Sequence, residues 1–128
     1  MEQSWRDIAL IAAGVIGAVT ALLHGVIMQG HMIEQVNSAV RADGRLRRPI
    51  RRLVAPLLHV STLSWLLVGL LLIWAGVRAT GEPRWIAAGF GLVIYGYAAL
   101  ANLIAVRGFH PGWILMTTAS LLVATGLL

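Results

Sequence analysis

Hydrophobic positions in this chain are gathered into four long blocks rather than spread in a repeating stripe. The blocks are Ile8–Met28, Leu53–Val77, Trp85–Val106 and Gly112–Leu128. About 20 apolar residues carry a helix across ~30 Å of hydrocarbon, so the first three blocks are long enough and the fourth just reaches if upright. Each has a tryptophan at or near an end, Trp5, Trp74, Trp85 and Trp113, where amphipathic rings favour a membrane interface. No interior run alternates with the period of two that barrel strands need. The pattern predicts an all-α membrane protein in one domain over residues 1–128, a four-transmembrane-helix antiparallel up-down bundle. Its helices are expected at about 8–30, 53–77, 85–106 and 111–128, with a cytoplasmic basic loop at 31–52.

The first block is too long for a signal-peptide core, lacks a basic segment before it and ends without a small-residue cleavage site, so it is expected to stay as an anchor. Met32, Val36 and Val40 continue its helical spacing, which extends the helix to about Ala42. Asp43-Gly44 is then a stop, and Pro49 suits the first turn of the next helix.

Composition agrees. The 128 residues are 59% hydrophobic and 12% charged, with a mean hydropathy of +0.82. A soluble fold of this size could not cover so much apolar surface. The chain has no cysteine, which excludes disulfide frameworks, thiolate zinc sites and iron–sulfur clusters.

All ten basic residues are arginine, and six of them lie within 41–52. Between two apolar blocks such a cluster reads as a topology signal, not as a nucleic-acid surface. With Arg107, seven arginines fall on that side against three, Arg6, Arg78 and Arg84, on the other. Both termini are therefore expected outside a bacterial inner membrane and the long loop in the cytoplasm. Arg45, Arg47, Arg48, Arg51 and Arg52 would meet anionic headgroups, each worth about 1 kcal/mol near the surface.

No aspartate or glutamate lies inside the four blocks. That removes the embedded carboxylate of small proton-coupled exporters and the carboxylates of di-metal bundles. Two histidines are present instead. His24 and His59 each lie about six residues from the cytoplasmic ends of their helices, roughly 9 Å deep. Their helical faces carry small and polar residues: Gly17, Thr20 and Met28 beside His24, and Thr62 and Gly69 beside His59. The third helix presents Ala88, Gly91, Tyr95 and Asn102 on one face, and the fourth His110, Trp113, Thr117 and Ala124. Such stripes mark where membrane helices pack, which places His24, His59, Asn102 and Thr117 in one slab.

Two readings of that layer stay open. In the first it is structural, a set of hydrogen bonds fixing helix register, and the protein is a non-enzymatic accessory, assembly or scaffold subunit. In the second it holds a ligand, because ionisable groups in membrane spans are often functional. Haem b or a divalent metal between His24 and His59 is one form, with Met28 a substitute ligand. A quinone or lipid headgroup among His24, Met28, His59, Thr62, Tyr95, Asn102 and Thr117 is another. His31, with Glu34 or Gln35, would extend a metal site. Pro56 removes a backbone bond just before His59. Gly14, Gly17, Gly89, Gly91 and Gly96 suit close helix approach, within the bundle or in a homo-oligomer or larger complex. A transporter is the weaker choice because the stripes turn apolar beyond Tyr95, and hydrolysis lacks an activated nucleophile.

Three short motifs carry a resemblance: His24-Gly25 late in the first helix, Pro56-Leu57-Leu58-His59-Val60-Ser61-Thr62 opening the second, and His110-Pro111-Gly112-Trp113-Ile114-Leu115 opening the fourth. Over most of its length the chain resembles a loose group of small, uncharacterised four-helix inner-membrane proteins from proteobacteria. That group often has a tryptophan before the second-helix histidine, where this chain has Leu58. The resemblance implies the four-helix layout and a role for His24, His59 and His110, and brings no activity with it.

Overall fold

The computed structural model describes residues 4–42 and 48–128, and all regular structure among them is helical. Helix α1 spans Trp5–Ile27 and passes through a π-helical segment, Met28–Ile33, into α2, Glu34–Ala42. Helices α3 (Arg48–Arg78), α4 (Glu82–Val106) and α5 (Pro111–Leu127) follow. The first helix thus continues to Ala42, as the spacing of Met32, Val36 and Val40 predicts. The second begins at Arg48 rather than near 53, with Pro49 in its first turn where the missing N–H costs nothing. The loop expected at 31–52 is therefore helical at 31–42 and 48–52. Arg45 and Arg47 lie outside the described residues, as do Asp43, Gly44 and the side chains of Arg48 and Arg51.

Helix ends follow local chemistry. At the start of α1, Asp7 N–H donates to Ser4 Oγ at 3.4 Å, while Ser4 N–H donates to Asp7 Oδ2 at 2.9 Å. This reciprocal capping box satisfies two of the orphan donors of a first turn. Gly81 turns the chain into α4 with φ +61, a value that a side chain would strain. Arg107 ends α4 with φ 47 and sends its N–H back to Leu103 O at 3.2 Å.

Helix α1 packs against α3 and α5, and α4 closes the square against the same two. The α1–α3 seam is the most extensive, and α3–α4 the slightest of the four. Along α1–α3, residue numbers rise on one helix as they fall on the other: Asp7 meets Gly76, Gly14 meets Gly69, and Gly25 meets Thr62. A Cβ on Gly14 would fall 2.5 Å from Gly69 O, and one on Gly69 2.7 Å from Gly14 O. The two backbones touch there because neither residue has a side chain.

Large apolar side chains face outward. Val15, Val19, Leu22 and Val26 line the outside of α1, and Ile86, Phe90, Val93 and Leu100 that of α4, all exposed. The interior holds mainly small residues, among them Ala13, Ala21, Ala75, Ala88 and Ala119, with Leu10, Leu72, Tyr95, Met116 and Val123 filling between them. This inverts the usual soluble arrangement. Three helices, Trp5–Ala42, Arg52–Arg78 and Glu82–Val106, are long and apolar enough to cross a membrane. Helix α5, at 17 residues, is shorter.

Candidate functional site

Among the described residues, hydrogen bonds between side chains of different helices fall in two places, one at each end of the bundle. The first is the histidine seam between α1 and α3. His24 Nε2 lies 3.4 Å from Ser61 Oγ, and its ring packs against Trp65 with centroids 4.6 Å apart and planes tilted by 46°. One turn further on, His59 Nε2 lies 3.0 Å from Gln29 Oε1, so His59 donates through its Nε2–H. Each imidazole therefore reaches a side chain of the opposite helix rather than its fellow histidine. Gln29 sits in the π-helical segment, whose extra residue per turn offsets the phase of everything after it.

Ser61 and Thr62 compete for the same backbone acceptor. Ser61 Oγ donates to Leu58 O at 3.1 Å, the carbonyl that a helical threonine at 62 would use. Among the described residues, Thr62 Oγ1 is left buried without a partner, beside Gly25. Met28 is buried at the start of the π-helical segment.

The remaining candidates divide. Tyr95 is fully buried and donates its hydroxyl to Trp65 O at 3.1 Å. Its ring occupies the space that Gly17 leaves, so a Cβ at 17 would overlap it. Asn102 returns its amide to Ala98 O at 2.8 Å. Its other end faces Gly112, close to His110, whose Nδ1 accepts from Gly112 N–H at 3.1 Å and caps α5. Thr117 corrects the expected slab: it is exposed on the outside of α5, where Met116, Ala119, Val123 and Gly126 form the buried face. Helix α5 is apolar or small at almost every position, so small size and polarity are poor guides to its inner face. Its Thr118 and Ser120 bond their own backbone at Ile114 O and Met116 O, which lets hydroxyl residues point either way.

A cofactor finds few free ligands here. His24 and His59 are both engaged, and the Trp65 ring covers one side of His24. Among the described residues no group of three or more His, Asp or Glu side chains comes together to hold a metal ion. His31, Glu34 and Gln35 are exposed. The two Nε2 atoms thus meet separate partners, Ser61 and Gln29, and not one shared ligand position.

The second polar place escaped the sequence reading. At the opposite end Arg84 of α4 donates Nη1 to Asp7 Oδ1 and Nη2 to Gly126 O at 3.3 Å, joining the start of α1 to the end of α5. The hydrogen bond from Arg84 holds the Asp7 carboxyl below the usual carboxylate range, against partial desolvation, with the Ser4 bonds helping to lower it. Asp7 and Arg84, 77 residues apart in sequence, carry no periodic signal of this pairing.

No family model, curated protein or solved structure matches the chain.

Proposed function

We propose that this chain is a bacterial inner-membrane protein whose four helices cross the bilayer as an antiparallel up-down bundle. Both termini lie outside and the arginine-rich loop lies in the cytoplasm, where Arg45, Arg47, Arg48, Arg51 and Arg52 meet anionic headgroups. The protein acts without catalysis, as an accessory, assembly or scaffold subunit in a homo-oligomer or a larger membrane complex. The membrane reading is supported by the outward-facing Val, Leu, Ile and Phe side chains on helices long enough to span. Helix α5 covers about 25 Å, short of the ~30 Å hydrocarbon core, so it stands upright and the bilayer thins or its flanking residues snorkel around it.

One observation favours the scaffold role over cofactor chemistry: His24 and His59 each bond the opposite helix, as register-fixing contacts do. The test is a visible spectrum, metal analysis and cross-linking of gently purified protein. A colourless, metal-free preparation that cross-links to itself or to other subunits is expected. A Soret band or stoichiometric metal, lost in His24→Ala or His59→Ala, overturns it.

A second reading rests on Thr62 Oγ1, a buried donor with no acceptor among the described residues. It places a small acceptor such as a quinone carbonyl in the same seam, since an unmet buried hydroxyl is costly. Solvent extraction followed by mass spectrometry separates the two: one organic molecule per chain, lost in Thr62→Val, supports the ligand, and none supports the scaffold.

A further inference from the structure

We propose that the groove between α3 and α4, at the Arg84 end, is a lipid site for phosphatidylethanolamine, whose acyl chain fills the groove while Glu82 holds its ammonium group. The proposal rests on the membrane reading above. The groove is a shallow, outward-open furrow of about 450 Å³ walled by Leu71, Trp74, Ile86, Ala87 and Phe90, with Pro83 and Glu82 at one end. Trp74 and Phe90 stand exposed at 48% and 58%. From Glu82 to Phe90 the groove follows α4 for about 12 Å, running from the helix end inward. It lies between α3 and α4, the pair of neighbouring helices that pack least. In hydrocarbon such a gap is filled by lipid tails, because water gains nothing there. The walls alone accept any chain, so they explain occupancy and not choice.

The choice comes from Glu82. Of the described acidic residues, Asp7 is paired with Arg84, and Glu34 lies near the histidine end, at the head of α2. Glu82 is exposed and makes no ion pair among the described residues. An unpaired carboxylate at the mouth of an apolar groove complements a lipid that carries a cation above its chains. The ethanolamine ammonium brings three N–H donors to a carboxylate, and charge-assisted bonds of this kind are the strong ones. A choline group offers charge without a donor, and a glycerol headgroup brings no cation to Glu82 at all. Glu82 also sits in the first turn of α4, where a carboxylate suits the helix dipole. That structural role alone affects stability and leaves lipid preference flat.

The purified full chain, exposed to equimolar phosphatidylethanolamine, phosphatidylcholine and phosphatidylglycerol, is read by native mass spectrometry. Phosphatidylethanolamine is expected to be retained about fivefold over phosphatidylglycerol, the factor of one interfacial charge contact, with phosphatidylcholine between them. Glu82→Gln should remove the preference, and Leu71→Trp, which fills the groove, should lower retention of all three. Equal retention by the wild-type chain, a preference that survives Glu82→Gln, or retention unchanged in Leu71→Trp overturns the lipid site. Recovery of the chain in the soluble fraction of cells overturns the membrane reading itself. A membrane-bound chain with no lipid preference overturns only the site.

Discussion

At the Arg84 end the α1 and α3 backbones touch through Gly14 and Gly69, whereas at the histidine end the same helices are joined by imidazole, serine and glutamine side chains. The first half of the seam relies on contact distance. A Cβ on Gly76 would come within 2.8 Å of Asp7 O, and one on Gly69 within 2.9 Å of Ala18 N. The second relies on hydrogen-bond partners, and it leaves Thr62 Oγ1 without one. Backbone contact admits no substitute, while a polar layer can exchange partners with water or a ligand. The histidine end is thus the adaptable half.

The largest expected effect tests this contrast directly. Gly69→Val forces a side chain against Gly14 O and should cost about 3 kcal/mol or prevent folding. Gly25→Ala meets only the Thr62 methyl, at 2.9 Å, and should cost about 1 kcal/mol. Thermal melting in detergent compares them, and equal losses would erase the distinction between the halves.

Next comes Arg84→Ala, which strips a partner from Asp7 and from Gly126 O together. About 1.5 kcal/mol is expected, because both charged side chains keep some solvent access. A pH signature follows from Asp7. Its carboxyl is held lower in the folded chain than its ordinary value of 3.8. The stability it contributes is therefore complete above that value and is lost as pH falls through the lower folded one. Melting temperature should drop on acidification below about pH 4, and this part of the drop should vanish in Asp7→Asn and in Arg84→Ala. An unchanged acid slope in both variants would show that the pair contributes nothing.

Smaller still are His24→Ala and His59→Ala, at about 0.6 kcal/mol each if they act as register contacts. Since they bond different partners, the double variant should equal the sum within about 0.5 kcal/mol. A strongly non-additive loss would mean that the two imidazoles share a ligand. The smallest change is a gain: Arg107→Gly relieves a left-handed residue at the end of α4 and should raise stability by about 0.5 kcal/mol. A loss instead would give the Arg107 side chain a role.

Several elements were legible in the sequence because they rest on run length or spacing. The apolar blocks mark α1, α3, α4 and α5, and Met32, Val36 and Val40 mark the extension to Ala42. Tyr95 stands on the small-residue face of α4 and is buried there. Thr117 was misplaced because α5 is nearly uniform around its circumference, so its orientation is set by packing against α1 and α4. The π-helical segment leaves no compositional trace, since it changes which carbonyl each N–H meets and not which residues are apolar. Of the candidate site, residue counting puts His24 and His59 at one depth, whereas their contacts lie about a turn apart along the seam, and the partners, Ser61 and Gln29, were not readable. Depth follows from counting residues, while partner choice depends on rotation about each helix axis and on the π-helical offset.

Tyr95 works as a bung in this bundle. Rooted on α4, it crosses to the gap left by Gly17 on α1 and fastens its hydroxyl to the Trp65 carbonyl on α3. Three of the four walls are thereby joined at one level, and with Leu10, Leu72, Met116 and Val123 packed toward the Arg84 end the interior is stoppered instead of bored through. Vesicles holding the protein should stay tight to small solutes.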